Sequence, residues 1–385
     1  MSISTQITEA AEAFKATLDA HPECRGDLAA DAALAGRPRQ HAAFWLGRFP
    51  DMDHGEGKNP PPPPPRTPEE RLLDWLKGAP GPAAKLNPIE AIRTVGKGPG
   101  TMAASFGIRL DPEIGFTPHG ERPLADVLRD GVPDPETSGV FPEMREDIEA
   151  TKALTPPWLK IALPDMQGLF NIAHNVLGNE VFLAPLTEPE EWDRFMKLLS
   201  DYFIAAHRTL VQWIGPERLA THPAKIHRLA ECSVNMVSKE FYIEHILRFD
   251  RRIAEYYGEL AIHPCSGPHV FHVTLENLPN VVYIEAGRMI NAMTAGSIAV
   301  DDALAAIGDR PIALAIGEEL AAGEEEAGMR RLLGLAASNP RLTFGFCGLG
   351  WKRADEPAMR ELHQKMNEYY AKIVCLDQPQ QERSP

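Results

Sequence analysis

The sequence predicts an α/β protein built as a (β/α)8 barrel with an N-terminal helical and loop elaboration. Short apolar runs at 260–262, 281–284, 311–316 and 342–346 are each followed by a loop and a helical pattern. Repeated strand–helix units imply parallel strands, since a strand can be rejoined in the same direction only through a crossover. The chain has 385 residues, enough for a barrel of about 250 with an elaboration left over. An open doubly wound sheet is the competing topology, and the number of successive units favours the barrel.

Taken in order, residues 5–35 read as largely helical, with Ile7, Ala11, Phe14 and Leu18 at spacings of three and four. A loop-like stretch follows and ends in six prolines at 60–65, which favour an extended polyproline conformation. Thr67-Pro68-Glu69-Glu70 then opens a helix through a capping hydroxyl, a proline in the first turn and two acids facing the positive end of the dipole. Between 96 and 157 the periodicity is weak, and frequent Gly and Pro predict loops around short elements. A strand is expected at 159–163 and a helix at about 167–177. Thr187-Glu188-Pro189-Glu190 starts a long helix with Trp192, Phe195, Leu199, Phe203 and Leu210 on one side, ending at Gly215-Pro216. A strand near 224–229 precedes a helix from Ser238 that carries Phe241, Ile246, Phe249 and Ile253 and closes at Gly258. The last helix spans about 356–373, with Met359, Leu362, Met366 and Tyr370 inward. This divides the chain into an arm and Pro-rich region packed on the barrel (1–100), a catalytic barrel (101–375) and a tail (376–385).

Composition narrows the partners. A hydrophobic share of 44% and a charged share of 24% are ordinary for a soluble globular chain. The formal net charge of -15 opposes nucleic acid binding. No run approaches the ~18 apolar residues of a membrane span, and the first 20 residues hold charges in place of an apolar signal core, so a cytoplasmic protein is expected. Five widely spread cysteines predict free, buried or metal-bound thiols in preference to a disulfide framework.

In a barrel of this kind the chemistry sits at the carboxyl ends of the strands. His263, Glu285 and Cys347 each directly follow the last apolar residue of a predicted strand, and Cys265 lies two residues beyond His263. An imidazole, two thiols and a carboxylate form a donor set for zinc, which takes such ligands tetrahedrally. His-Pro-Cys alone is a weak signal, since a lone cysteine is more often a small buried hydrophobe. Placement of the whole set at one rim is what raises it. Cys232 and Glu231, after the 224–229 strand, together with Asn171, His174 and Trp351, are candidates for lining a substrate pocket, each weighed against ordinary packing. His269 and His272 fall on the helix after the metal loop, where a surface role is expected. Gly345-x-x-Gly348-x-Gly350 has the wrong spacing for a dinucleotide fingerprint, and Gly96-Lys97-Gly98-Pro99-Gly100 lacks the context of a phosphate loop.

The segments Ile262-His263-Pro264-Cys265-Ser266-Gly267, Tyr283-Ile284-Glu285 and Gly345-Phe346-Cys347-Gly348 resemble the His-x-Cys…Glu…Cys zinc signature of the cobalamin-dependent methyltransferases in the uroporphyrinogen decarboxylase superfamily. Methanol- and methylamine-specific coenzyme M methyltransferases are its best-known members. The resemblance covers roughly 158–374, including the helix starts at Leu186 to Trp192 and at Ser238. It implies His263, Cys265 and Cys347 as permanent zinc ligands and Glu285 as an exchangeable, catalytic fourth. It also implies a methyl group moved between a small thiol, methoxy, amine or thioether compound and a corrinoid. No Asp-x-His-x-x-Gly motif is present, because Asp51-Met52-Asp53-His54-Gly55 has the wrong spacing, so the corrinoid would arrive on a separate protein. The Arg-rich N-terminal signature of the decarboxylase is echoed only weakly by Phe44-Trp45-Leu46-Gly47-Arg48, which argues against a tetrapyrrole substrate. A metal-free decarboxylase-like lyase and a non-catalytic small-ligand-binding barrel are the alternatives.

Overall fold

The computed structural model describes residues 1–21, 25–37, 45–48, 66–78, 90–111, 117–118, 120–264, 268–286, 298–348 and 356–377. Its strands are β1 (Trp45–Arg48), β2 (Ile92–Thr94), β3 (Leu110–Asp111), β4 (Thr117–Pro118), β5 (Lys160–Ala162), β6 (Arg228–Ala230), β7 (Leu260–His263), β8 (Val281–Glu285), β9 (Ala313–Leu320) and β10 (Leu342–Gly348). Its helices are α1 (Ile3–Ala20), α2 (Gly26–Leu34), α3 (Pro68–Gly78), α4 (Thr101–Ala104), α5 (Leu124–Asp130), α6 (Phe141–Leu154), α7 (Leu169–Leu177) and α8 (Ala184–Thr187). They continue as α9 (Pro189–Ile214), α10 (Pro223–Ile226), α11 (Lys239–His245), α12 (Leu247–Tyr257), α13 (Pro268–Asn277), α14 (Val300–Ile307), α15 (Glu325–Ser338) and α16 (Glu356–Asp377).

The chain divides into two compact units, one of residues 1–11, 58–75 and 92–282, the other of 12–57, 76–91 and 283–385. In the first, β2 pairs with β5 and β6 with β7, both in parallel, and the short β3 and β4 pair antiparallel. In the second, β1, β10, β9 and β8 pair in parallel in that order. The expectation of a parallel α/β protein is met.

The first unit is organised on α9, a helix of 26 residues and hence about 39 Å long. Its apolar residues recur at helical spacing, so Trp192, Phe195, Leu199, Phe203, Leu210 and Ile214 form one buried stripe. Tyr202 extends the stripe through edge contacts with Phe106 and Phe141 at 5.1 and 6.5 Å. The helix ends at Gly215, whose φ of 78° is the left-handed conformation that its sequence predicted. Other starts follow local chemistry in the same way. Thr67 Oγ1 accepts from Glu70 N at 3.3 Å while Thr67 N donates to Glu70 Oε2 at 2.8 Å, a reciprocal cap for α3. Ser238 Oγ accepts from Phe241 N at 3.1 Å and starts α11.

Several boundaries move. The helix expected from Ser238 to Gly258 is two helices, because Ile246 leaves the helical region at φ -122°, ψ -52°. The 224–229 segment begins as α10, capped by His222 Nδ1 accepting from Ala224 N, and the strand starts only at Arg228. The region 96–157, expected to be mostly loop, contains α6, which buries Phe141, Met144 and Ile148. Strand β9 runs on through Gly317 and Glu318 to Leu320, four residues past the expected end at 316. On α16 the buried face takes Met359, His363, Met366 and Tyr370, with Leu362 half-buried. Among the described residues no helix is long and apolar enough to cross a membrane.

Candidate functional site

In the first unit, the carboxyl ends of β5, β6 and β7 and the start of α7 bring together residues that the sequence singled out separately. Ala230 is the register partner of His263 in the β6–β7 pair, and Glu231 N donates to His263 O at 3.0 Å. Directly behind β6, Gly168 N donates to Ala230 O at 2.7 Å, which seats the start of α7 on the same strand end. A Cβ on residue 168 would fall inside the Glu231 carboxylate, so glycine is required for that side chain to reach the helix start. There Glu231 Oε1 accepts from Phe170 N at 3.3 Å, an acid held at the positive end of the helix.

The other side of Glu231 meets Asp250 of α12. Tyr242 Oη donates to Asp250 Oδ2 at 2.8 Å, and the two carboxyl groups lie within hydrogen-bonding reach of each other. Glu231 Oε2 and Asp250 Oδ1 are buried with no donor of their own, so the pair needs a proton between them. Burial, and next the neighbouring Asp250, push the Glu231 carboxyl well above its ordinary range; burial lifts Asp250 to about 7. A cavity of about 10 Å3, lined in part by Glu231, Tyr242, Asp250, Pro264 and Thr274, adjoins them, room for about one water.

Asn171 is committed on both sides of its amide. Its Nδ2 donates to Gln167 Oε1 and Ala230 O, each at 2.7 Å, and its Oδ1 accepts from Ser233 N at 2.6 Å. His174 Nδ1 lies 3.1 Å from Ser233 Oγ, and burial lowers the imidazole pKa, which favours the neutral ring. Cys232 is half-buried and forms no disulfide among the described residues. Chemically this assembly fixes the β6 and β7 ends and holds one proton away from solvent. Ser233, Tyr242, Asp250 and Gly168 were not singled out in the sequence. For Asp250 a signal existed, since it occupies the apolar stripe of Leu247, Ile253, Ala254 and Tyr257 at helical spacing.

His263 is the last residue of β7 and is half-buried. In the second unit, Glu285 is the last residue of β8 and Cys347 the next-to-last of β10. Glu285 pairs with Ala315, which pairs with Thr343, so Cys347 lies four residues beyond the level of Glu285, about 13 Å along the strand. Strand tilt in a curved sheet is the geometry that offsets such a stagger. Cys265 and Trp351 lie outside the described residues. Among the described residues no three His, Cys, Asp or Glu side chains come together as a metal-holding group. His269 and His272 are exposed on α13.

No family model and no curated protein matches the chain. Among solved structures, a methyltransferase from Methanosarcina mazei is similar with a TM-score of 0.53, over 90% of this chain and 99% of that chain, at 13% identity. At that identity the likeness is one of fold.

Proposed function

We propose that this chain is a zinc-dependent methyltransferase that moves a methyl group between a small substrate and a corrinoid carried on a separate protein. The fold we assign it is a closed (β/α)8 barrel. The observation that carries the proposal is that strands β7, β8 and β10 bear His263, Glu285 and Cys347 at or next to their carboxyl ends, in a chain whose fold is similar to that of a methyltransferase.

The donor chemistry suits the metal. One imidazole, two thiols and a carboxylate match the ligand types and number of a zinc site with an exchangeable position. His263, Cys265 and Cys347 are assigned as ligands, and Glu285 as the group that yields its place to substrate. When bound, zinc supplies Lewis acidity that lowers the pKa of a substrate thiol. The chain's own part is to hold the ligands and limit water. Glu231 N fixes the His263 carbonyl, and the α7 start is locked against the same strand end through Gly168.

The test is elemental analysis of the purified protein and of Cys347→Ala, with circular dichroism as a control for folding. About one zinc per chain, the ratio of a single tetrahedral site, lost in the variant with the helical signal intact, is the expected result. Methyl transfer from methylcobalamin to a small thiol is then measured. Absence of zinc from both proteins overturns the proposal.

A further inference from the structure

Strands β9 and β10 of the second unit lie side by side in parallel, with Leu342 opposite Leu314, Phe344 opposite Ile316 and Phe346 opposite Glu318. All of these residues are buried. Helix α15 covers that face, since its Arg331 reaches Glu318 Oε1 at 3.9 Å. The alternation of a strand then puts Thr343, Gly345 and Cys347, with their partners Ala315, Gly317 and Glu319, on the opposite face. Cys347 is therefore the direct cross-strand neighbour of Glu319. We propose that Glu319 is a further ligand residue of the zinc site, contacting the ion beside Cys347. The inference rests on the zinc reading proposed above and adds to it a carboxylate from β9.

Register decides which carboxylate stands next to the thiol. Glu285 is two strands and four residues away from Cys347, whereas no stagger separates Glu319 from it. Register partners are one strand spacing apart, about 4.8 Å. A zinc ion bonded to a thiolate at about 2.3 Å and to a carboxylate oxygen at about 2.0–2.2 Å holds the two donor atoms no more than ~4.5 Å apart. One ion spans such a pair.

The surrounding positions leave room for it. On the other side of Cys347 the register partner is Gly47 of β1, and two residues earlier Gly345 stands opposite Gly317. None of these three has a side chain, and glycine in a strand interior often marks a close approach by a ligand. Across β1, β10 and β9 at the level of Cys347, only Cys347 and Glu319 are residues with a donor group. Zinc with an exchangeable position expands in some sites to five ligands. A carboxylate from β9 thus joins the set without taking a place from His263, Cys265 or Cys347.

Competition with a zinc chelator on the full chain, and visible spectra of the cobalt(II)-loaded protein, test this. Glu319→Gln keeps the size of the side chain. It is expected to bind zinc about ten-fold or more weakly, at least the loss that follows removal of a group supporting a metal ligand, and to shift the cobalt bands. Glu319→Ala should do the same and stands in if the first variant does not fold, with circular dichroism as the check. Unchanged bands, or unchanged affinity, in a folded variant beside a wild type that holds zinc overturn the role of Glu319 and leave the zinc reading standing. Weaker binding alone is not enough, because a charge outside the coordination sphere alters affinity without moving the bands. A wild type without zinc overturns both.

Discussion

At the scale of single residues, Gly168 and Glu231 constrain one another directly. The glutamate can cap α7 only because residue 168 has no side chain, and its other oxygen is buried beside Asp250, whose neighbourhood helps to raise its pKa. Gly168→Ala is expected to destabilise the protein by about 1–3 kcal/mol, the usual range for overpacking a filled site, read as a lower urea midpoint. Glu231→Ala removes the group that the new methyl strikes, so the two changes should not add. A double-mutant cycle should give a coupling of at least ~0.5 kcal/mol. Additive losses would mean that the backbone at 168 yields without cost and that the steric account is mistaken. Part of this centre was legible beforehand. Glu231, Asn171 and His174 were marked by their place after strands, but a sequence does not say whether a polar group beside a strand end faces a substrate or other polar groups. Here Asn171 is fully engaged, and Glu231 is bound to backbone and to Asp250.

At the scale of elements, α6 shows why periodicity alone was insufficient. Its buried face mixes Phe141, Met144 and Ile148 with Asp147 and Thr151, which blurs the apolar repeat. The polar positions are satisfied by arginines from distant segments: Arg71 Nε meets Asp147 Oδ1 at 2.9 Å, and Arg93 donates to Asp147 O and Thr151 Oγ1. Arg218 closes the carboxyl end. It donates to Thr151 O, Lys152 O and Thr155 O, each at 3.2 Å, and to Leu159 O at 3.0 Å, doing for four buried or half-buried carbonyls what another turn of helix would do. Arg218→Met keeps the stem but takes this donor from the Lys152, Thr155 and Leu159 carbonyls, Thr151 O still accepting from Thr155 N, at an expected cost of about 2–4 kcal/mol. The loss should be accompanied by faster amide exchange in the last turn of α6. Unchanged exchange there would show that the cap is dispensable. Elements whose partners are local, such as α3 with its Thr67–Glu70 cap and α9 with its single apolar stripe, were readable from sequence for the same reason that α6 was not.

At the scale of the whole molecule, two buried centres give opposing pH dependences. The Glu231–Asp250 pair binds its proton more tightly folded than unfolded, where the carboxyls return to about 4. Its stabilisation is complete below that value and is lost as pH rises through about 7. His207 runs the other way. Its nitrogens lie 2.9 Å from Tyr256 Oη and 3.0 Å from Ile226 O, and burial, then the neighbouring His227, hold it at about 4. Because the unfolded ring titrates near ~6.5, this contribution is present above that pH and lost as pH falls towards 4. Between pH 6.5 and 8 only the carboxyl pair acts, so urea stability should decline across that interval. The decline should flatten when Glu231→Gln and Asp250→Asn are combined, and its persistence would place the titrating group elsewhere.

The order in which the chain visits its two units has a further consequence. It passes between them at 11/12, 57/58, 75/76, 91/92 and 282/283, so no single cleavage releases either as a continuous piece. During synthesis, residues 12–57 emerge long before 283–385, with which they belong, and the strand pairing of β1 with β10 must wait until β10 has been made. Long-range pairing of this kind folds slowly and leaves early segments uncovered. A truncation that reaches β10 therefore removes the partner of β1 as well as the residues deleted.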